Sequence, residues 1–274
     1  MIFDSAWQRM SVRSDKEDLW SDFYFMARGQ IYRGYVLSGL ELYERILRDK
    51  VSSLGADHPD TLTSMNNLAF TYGELGQHDK ALALREKVLA GRTAKLGADH
   101  PDTLTSMGNL ASTYGKLGQH DKALALEEKV LAGRTAKLGA DHPDTLTSMN
   151  DLAFTYGELG QHGKALALYE KVLAGRTAKL GADHPDTLDS MTGLSLSLYK
   201  LKRYTQAGNV LQTLLTMLVK QDGEAKDTTQ FLMSMLVISL EAQGQPPSFL
   251  QAYKPETQAA VKRLVPATKV VLSK

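Results

Sequence analysis

The 274-residue chain has no cysteine. Disulfide staples and thiolate chemistry are therefore excluded, and the composition fits a reducing compartment, with the cytoplasm as the expected location. An excess of charge of one sign is also missing. Thirty-two Lys and Arg stand against 31 Asp and Glu, a net charge of +1, so no global field draws in nucleic acid or an anionic membrane, and neither partner is expected. Long apolar runs are absent too. The most apolar stretch, "FLMSMLVISL" at 231–240, is roughly half of what a helix needs to span a bilayer and reads as a buried core helix. The opening "MIFDSAWQRMSVRSDKEDLW" lacks the apolar core of an export signal.

What the chain has in quantity is repetition. The phrase "LGADHPDTL" begins at Leu54, Leu96, Leu138 and Leu180, a constant step of 42 residues, and the segments 59–100, 101–142 and 143–184 differ at only a few positions. A period of this length predicts stacked supersecondary units, each too small to bury its own apolar face without a neighbour.

Each unit predicts two helices. In helix A of the 59–100 segment, Leu62, Met65, Leu68, Ala69, Tyr72 and Leu75 recur at steps of three and four and form one apolar stripe. Pro59 suits a first turn that needs no amide donor, Asp60 favours the positive helix end, and Gly76 stops the helix. Helix B carries Ala81, Leu84 and Val88, with Leu82, Leu89 and Leu96 on an adjoining row, and Gly97 closes it. "LGADHPDTL" is thus the corner between one helix B and the next helix A.

Leu68, Ala69, Tyr72, Gly76, Ala81, Leu84 and Val88 resemble the tetratricopeptide repeat pattern of large, small and aromatic residues. The 42-residue step and the corner phrase are similar to the longer variant of kinesin light chains and related arrays. The aromatic usual in helix B stands at Tyr43 and Tyr169 but is replaced by Arg85 and Glu127. The resemblance implies an all-α fold, a right-handed superhelical α-solenoid of tandem helix–turn–helix repeats. Stepping the register outward predicts one solenoid domain over 18–264 with about six repeats. A diverged repeat occupies 18–58, the three near-copies follow, a second diverged repeat occupies 185–226, and a capping repeat spans 227–264, ending in a short helix at 256–264. An N-terminal segment, 1–17, and a tail, 265–274, flank the domain.

The array offers little to a reaction. A catalytic centre needs unlike groups converging, whereas translated copies point like groups in parallel, so no catalytic residue, cofactor or enzymatic role is expected. All seven histidines belong to the repeat: His58, His100, His142 and His184 at the corners, and His78, His120 and His162 in the A-to-B turns. Asp57, His58 and Asp60 are of metal-ligating type. Successive corners lie too far apart to share an ion, however, so helix capping is expected in place of a metal site. The pairs Arg92/Lys95, Arg134/Lys137 and Arg176/Lys179 would stack into a basic stripe that the corner aspartates and helix dipoles neutralise.

The residues that change between near-copies point elsewhere. Asn66/Gly108/Asn150, Phe70/Ser112/Phe154 and Glu74/Lys116/Glu158 are spaced by four and share one helical face, which is not the core stripe. In the family that the chain resembles, these positions line a concave groove that contacts peptides, and Thr63, Thr105 and Thr147 would join them. The expected groove is therefore Thr63, Asn66, Phe70, Glu74, Thr105, Ser112, Lys116, Thr147, Asn150, Phe154 and Glu158. The alternative for this face is drift, which exposed positions of duplicated units tolerate best, and Arg85/Glu127/Tyr169 and Asp79/Gly163, which fall outside it and read as drift, support some of it. The leading functional expectation is a scaffold that binds a peptide or partner helix, as a monomer with self-association open to it. The alternatives are a regulatory or sensor array for an ATPase or protease on another chain, and a kinesin light chain-like cargo adaptor. No sustained heptad run precedes Asp18 in this sequence.

Overall fold

The computed structural model describes residues 16–222, 227–252 and 254–273. Among them are twelve α-helices and no strand. Contacts gather the chain into two compact units, residues 1–126 and 127–274, where the repeat register predicts a single domain. The difference has a physical basis: each repeat touches only its neighbours, so no one core ties the whole array together.

The first unit holds α1 (Lys16–Tyr32), α2 (Val36–Leu54), α3 (Pro59–Glu74), α4 (His78–Leu96), α5 (Pro101–Lys116) and the first turns of α6 (His120–Leu138). From α1 to α5 each helix packs against the next. Odd helices are the A members of the repeats and even helices the B members. Trp20, Phe23 and Ala27 of α1 join Leu40, Tyr43 and Ile46 of α2 and Leu68, Ala69 and Tyr72 of α3 in one buried cluster, so the diverged first repeat closes the apolar side of the second.

The second unit continues through α7 (Pro143–Glu158), α8 (His162–Leu180), α9 (Pro185–Lys200), α10 (Tyr204–Asp222) and α11 (Asp227–Glu241). A 3₁₀ turn (Ser248–Ala252) and α12 (Pro255–Ser273) complete it. Its end is the most apolar part of the molecule. Residues 232–239 of α11 are buried without interruption. Leu211, Leu214 and Leu215 of α10, Leu250 of the 3₁₀ turn and Val261 of α12 share one core with them. The run expected to be a core helix is one, covered by the last helix. The expected short helix at 256–264 and tail at 265–274 are corrected: α12 runs on through Pro266 to Ser273. Proline in a helix interior removes a donor and crowds the preceding turn. Here packing outweighs that cost, because Thr268, beyond the proline, is buried and its hydroxyl shares a 2.8 Å hydrogen bond with Ser234 of α11.

The corners explain why the repeated phrase is worth repeating. At each, a histidine is the N-cap, and its Nδ1 accepts the amide of the aspartate two residues on, at 3.1–3.2 Å for His58, His100, His142 and His184. Proline follows at the first helical position, where no donor is needed. The A-to-B turns close with Gly76, Gly118 and Gly160 at φ of about +70°, a conformation that costs glycine nothing. The same place in the degraded repeat is held by Lys202 at φ 60°.

The stripe of α3 is buried as its spacing predicts, from Leu62 through Tyr72, and so are Ala81 and Val88 of α4. Gly91 lets the two helices touch: a Cβ there would meet Leu62 Cδ2 at 2.9 Å, and one at Gly175 would meet Leu146 at 2.8 Å. Leu96 is corrected. It and its equivalents Leu138 and Leu180 are exposed. Gly91 already lies opposite the first turn of helix A, and Leu96 is about 7 Å further along the axis, past the end of its partner.

Candidate functional site

The outer rows of the A helices carry every residue expected in the groove. In the first unit, Phe70 of α3 is 59% exposed, and Thr63, Glu74, Thr105, Ser112 and Lys116 are exposed with it. Asn66 is half-buried and its Oδ1 accepts the side-chain amide of Asn109 on α5 at 3.1 Å. That bond sets the two A helices side by side. In the second unit, Phe154 of α7 is 56% exposed, with Thr147 and Glu158 also at the surface. Asn150 donates to Asp189 of α9 at 3.3 Å, and its Oδ1 faces Arg176 and Ser190 at 3.4 and 3.3 Å. The asparagines thus spend hydrogen-bonding capacity on neighbouring repeats. Thr63, Thr105 and Thr147 donate their hydroxyls to the carbonyls of Pro59, Pro101 and Pro143 at 3.0–3.1 Å, which leaves the threonine oxygens to act as acceptors.

Three residues of α9 belong to the same rows and were not anticipated: Thr192, Leu196 and Lys200. Leu196 is 37% exposed, and it takes the place that Phe154 has on α7. One further step of 42 from Gly108/Asn150, Ser112/Phe154 and Lys116/Glu158 reaches them. In the first unit Trp20, Tyr24, Phe25, Lys50, Asp60 and Thr63 line a cleft beside the same face. The Trp20 indole donates to Asp49 at 2.7 Å, and the Lys50 ammonium lies 5.2 Å from the ring centre.

The basic residues expected to stack as a stripe have another use. Arg92 donates to the Asp102 carbonyl and the Ser106 hydroxyl at 3.1 and 2.9 Å. Arg134 makes the same pair with Asp144 and Ser148, and Arg176 with Asp186 and Ser190. Each guanidinium fastens a helix B to the first turn of the next helix A. Tyr72, Tyr114 and Tyr156, near the ends of the A helices, donate to Glu44, Glu86 and Glu128 of the preceding B helix. Lys80, Lys122 and Lys164 sit about 5 Å over their rings. Burial, then Glu44, pushes the Tyr72 phenol up to about 12.

Arg85, Glu127 and Tyr169, expected to be drift, are repeat junctions. Arg85 donates to the Asn109 carbonyl and the Thr113 hydroxyl of α5. Glu127 is buried, bonded to Thr155 and close enough to Asp151 of α7 to feel its charge, and loss of solvent pushes its carboxyl up to about 7. Tyr169 is buried with its ring against Gly193 of α9, where any Cβ would collide with it. The residue types alone could not reveal this, because an arginine or glutamate on a helix usually marks solvent. The signal available was their place in the family pattern, where an aromatic packs. Among the described residues no group of three or more His, Asp or Glu is arranged to hold a metal, and no helix is long and apolar enough to cross a membrane.

The sequence profile of the tetratricopeptide repeat matches residues 29–94, 66–136 and 145–186, together more than half of the chain. Among solved structures, a Podosopora anserina kinesin light chain-type protein with nearly identical TPR-like repeats is similar at 30% identity and a TM-score of 0.64, over 74% of this chain and 96% of that one. BtubC from P. vanneervenii matches at 17% identity and a TM-score of 0.64, over 85% and 91%. RapI in its apo form matches at 13% and 0.69, over 85% and 83%. These last two share the fold. No curated protein matches the chain in sequence. The profile matches, and a solved relative aligned over almost its whole length, place this protein in the tetratricopeptide repeat family, as a kinesin light chain-like member.

Proposed function

We propose that the chain is a non-enzymatic scaffold, working as a cytoplasmic monomer, that binds a peptide segment or a partner's helix on the outer rows of its A helices. One observation carries the reading: Phe70 and Phe154 are more than half exposed while the apolar stripe behind them is buried. A phenyl ring more than half exposed at the same place in two repeats adds little to either core. Its value lies in contact with something else. Burying such a ring on binding contributes about 1.5–3 kcal/mol, and each hydrogen bond to the nearby threonines about 0.5–1.5. Several contacts together therefore reach micromolar affinity. The P. anserina relative's name makes cargo adaptation the narrower form of this reading.

A pull-down from the source cells, comparing the wild type with the Phe70→Ala/Phe154→Ala variant, tests it. Loss of specific partners from a variant with unchanged helical content is the expected result. An unchanged partner list would move the binding surface elsewhere.

A further inference from the structure

Along the outer rows of the A helices α3 and α7 carry the same residues, and the final-turn charge alternates from helix to helix. Asn66, Phe70 and Glu74 of α3 return as Asn150, Phe154 and Glu158 of α7. The intervening α5 has Gly108, Ser112 and Lys116, and α9 has Thr192, Leu196 and Lys200. The final turns thus read Glu, Lys, Glu, Lys. Between 59–100 and 143–184 all these face residues agree, and only Asn67/Asp151, Asp79/Gly163 and Arg85/Tyr169 differ.

Each compact unit contains one such pair of helices. In the first, the Asn66–Asn109 hydrogen bond sets α3 against α5, and in the second, Asn150–Asp189 sets α7 against α9. Both pairs put an apolar side chain at the surface, with a carboxylate one turn beyond it and an ammonium on the adjoining helix. Charges of both signs side by side reject a ligand of uniform charge, because one of the two always repels it. Adjacent helices lie about 10 Å apart, a distance covered by about three residues of extended chain.

We propose that the chain carries two copies of one recognition module, α3 with α5 and α7 with α9, and that its partner presents the matching segment twice. The segment has a basic residue to meet Glu74 or Glu158, an acidic residue about three positions away to meet Lys116 or Lys200, and an apolar side chain between them for the phenyl ring. This rests on the binding face proposed above and adds its valency and ligand chemistry. Two weak sites joined through one partner gain affinity without any new contact.

Calorimetric titration of the full chain with synthetic peptides tests it. The probes are Lys-Leu-Leu-Asp and the reversed Asp-Leu-Leu-Lys, each single and in tandem through Gly-Ser linkers of about 10, 20 and 40 residues. One chain direction is expected to bind, with two single peptides per protein, and its tandem form to bind one to one at least about tenfold more tightly. Phe70→Ser or Phe154→Ser, which install the residue already present at Ser112 and so keep the fold, should each reduce the single-peptide stoichiometry to one and cancel the tandem gain. A stoichiometry of one for the wild type, or no gain at any linker length, overturns the two-copy inference and leaves the binding face standing. Failure of every peptide overturns the ligand chemistry, and with it the inference, while the pull-down still decides the face.

Discussion

Apart from Asp79/Gly163 at the exposed start of helix B, the near-identical repeats differ from one another in two regions, and the regions behave differently. At the junctions, where a helix B meets the next helix A, Arg85, Glu127 and Tyr169 are all different: Arg85 and Glu127 meet the same threonine of the next repeat, Thr113 and Thr155, while Tyr169 packs against Gly193, which stands where the preceding repeats have Asn109 and Asp151. On the outer rows of the A helices the final-turn charge alternates, and Phe70 and Phe154 touch water. At Tyr169 the next repeat has changed with it, since only glycine leaves room for the ring, so a change at this junction commits its partner. Exposed variation commits nothing inside the molecule. Junction substitutions should therefore act on stability, and face substitutions on binding.

The tightest junction should show the largest effect. Gly193→Val drives two methyl groups into the Tyr169 ring, and overpacking of this kind is expected to destabilise the second unit by about 3 kcal/mol in denaturant unfolding. Adding Tyr169→Ala should return part of that loss, a positive coupling that separates a junction pair from two independent core sites. Additive losses would mean that the two positions do not belong together.

The Glu127 junction should be smaller in effect and visible through pH. Its carboxyl in the folded chain stands at about 7, against an ordinary 4.5. The folded state therefore holds this proton more tightly than the unfolded chain does. The resulting stabilisation is fully present below pH 4.5 and is lost as pH rises through about 7. Above that window the charged carboxylate stays buried beside Asp151, with Oε2 lacking a partner among the described residues. Glu127→Gln should then stabilise the second unit by about 2 kcal/mol at alkaline pH and by little in acid. A pH-independent difference between the two proteins would contradict this account.

The corners, which do not vary, give the baseline for both regions. His142→Ala removes the acceptor for the Asp144 amide and should cost about 1 kcal/mol, whereas His142→Asn, which keeps an acceptor, should cost only a few tenths. Equal losses in the two variants would show that the imidazole contributes by packing and not by capping.

The helices themselves were legible in the sequence, because apolar spacing, Pro59 at a first turn and Gly76 at a last one are local signals, repeated until chance is excluded. The residues of the proposed face were legible as a set for the same reason, since four-residue spacing places them on one row. Three features were hidden, each for a physical reason. Leu96 has the right spacing, but where its partner helix starts depends on how the two helices slide. Pro266 reads as a helix end, and only the apolar surface of α11 holds α12 together past it. Glu127 and Arg85 read as solvated charges, and nothing local says that a neighbouring repeat will cover them. Long-range pairing across a 42-residue step is what single-segment spacing does not contain.

The smallest expected effect on stability is the one that separates the two regions most cleanly. Phe154→Ser should change unfolding free energy by no more than about 0.5 kcal/mol, since a ring that is 56% exposed gives up little burial and Ser112 already occupies the equivalent place in the repeat before it. Tyr169→Ala, also an aromatic truncation on a helix of the same unit, should cost about 3 kcal/mol or more, because its ring is buried. If Phe154→Ser proved equally costly, the ring would be part of the packing that holds α7 in place, its exposure would need no ligand to account for it, and the binding face would lose its main support. A near-zero value shows that the ring is not needed for packing and leaves the pull-down to decide whether it serves contact with a partner.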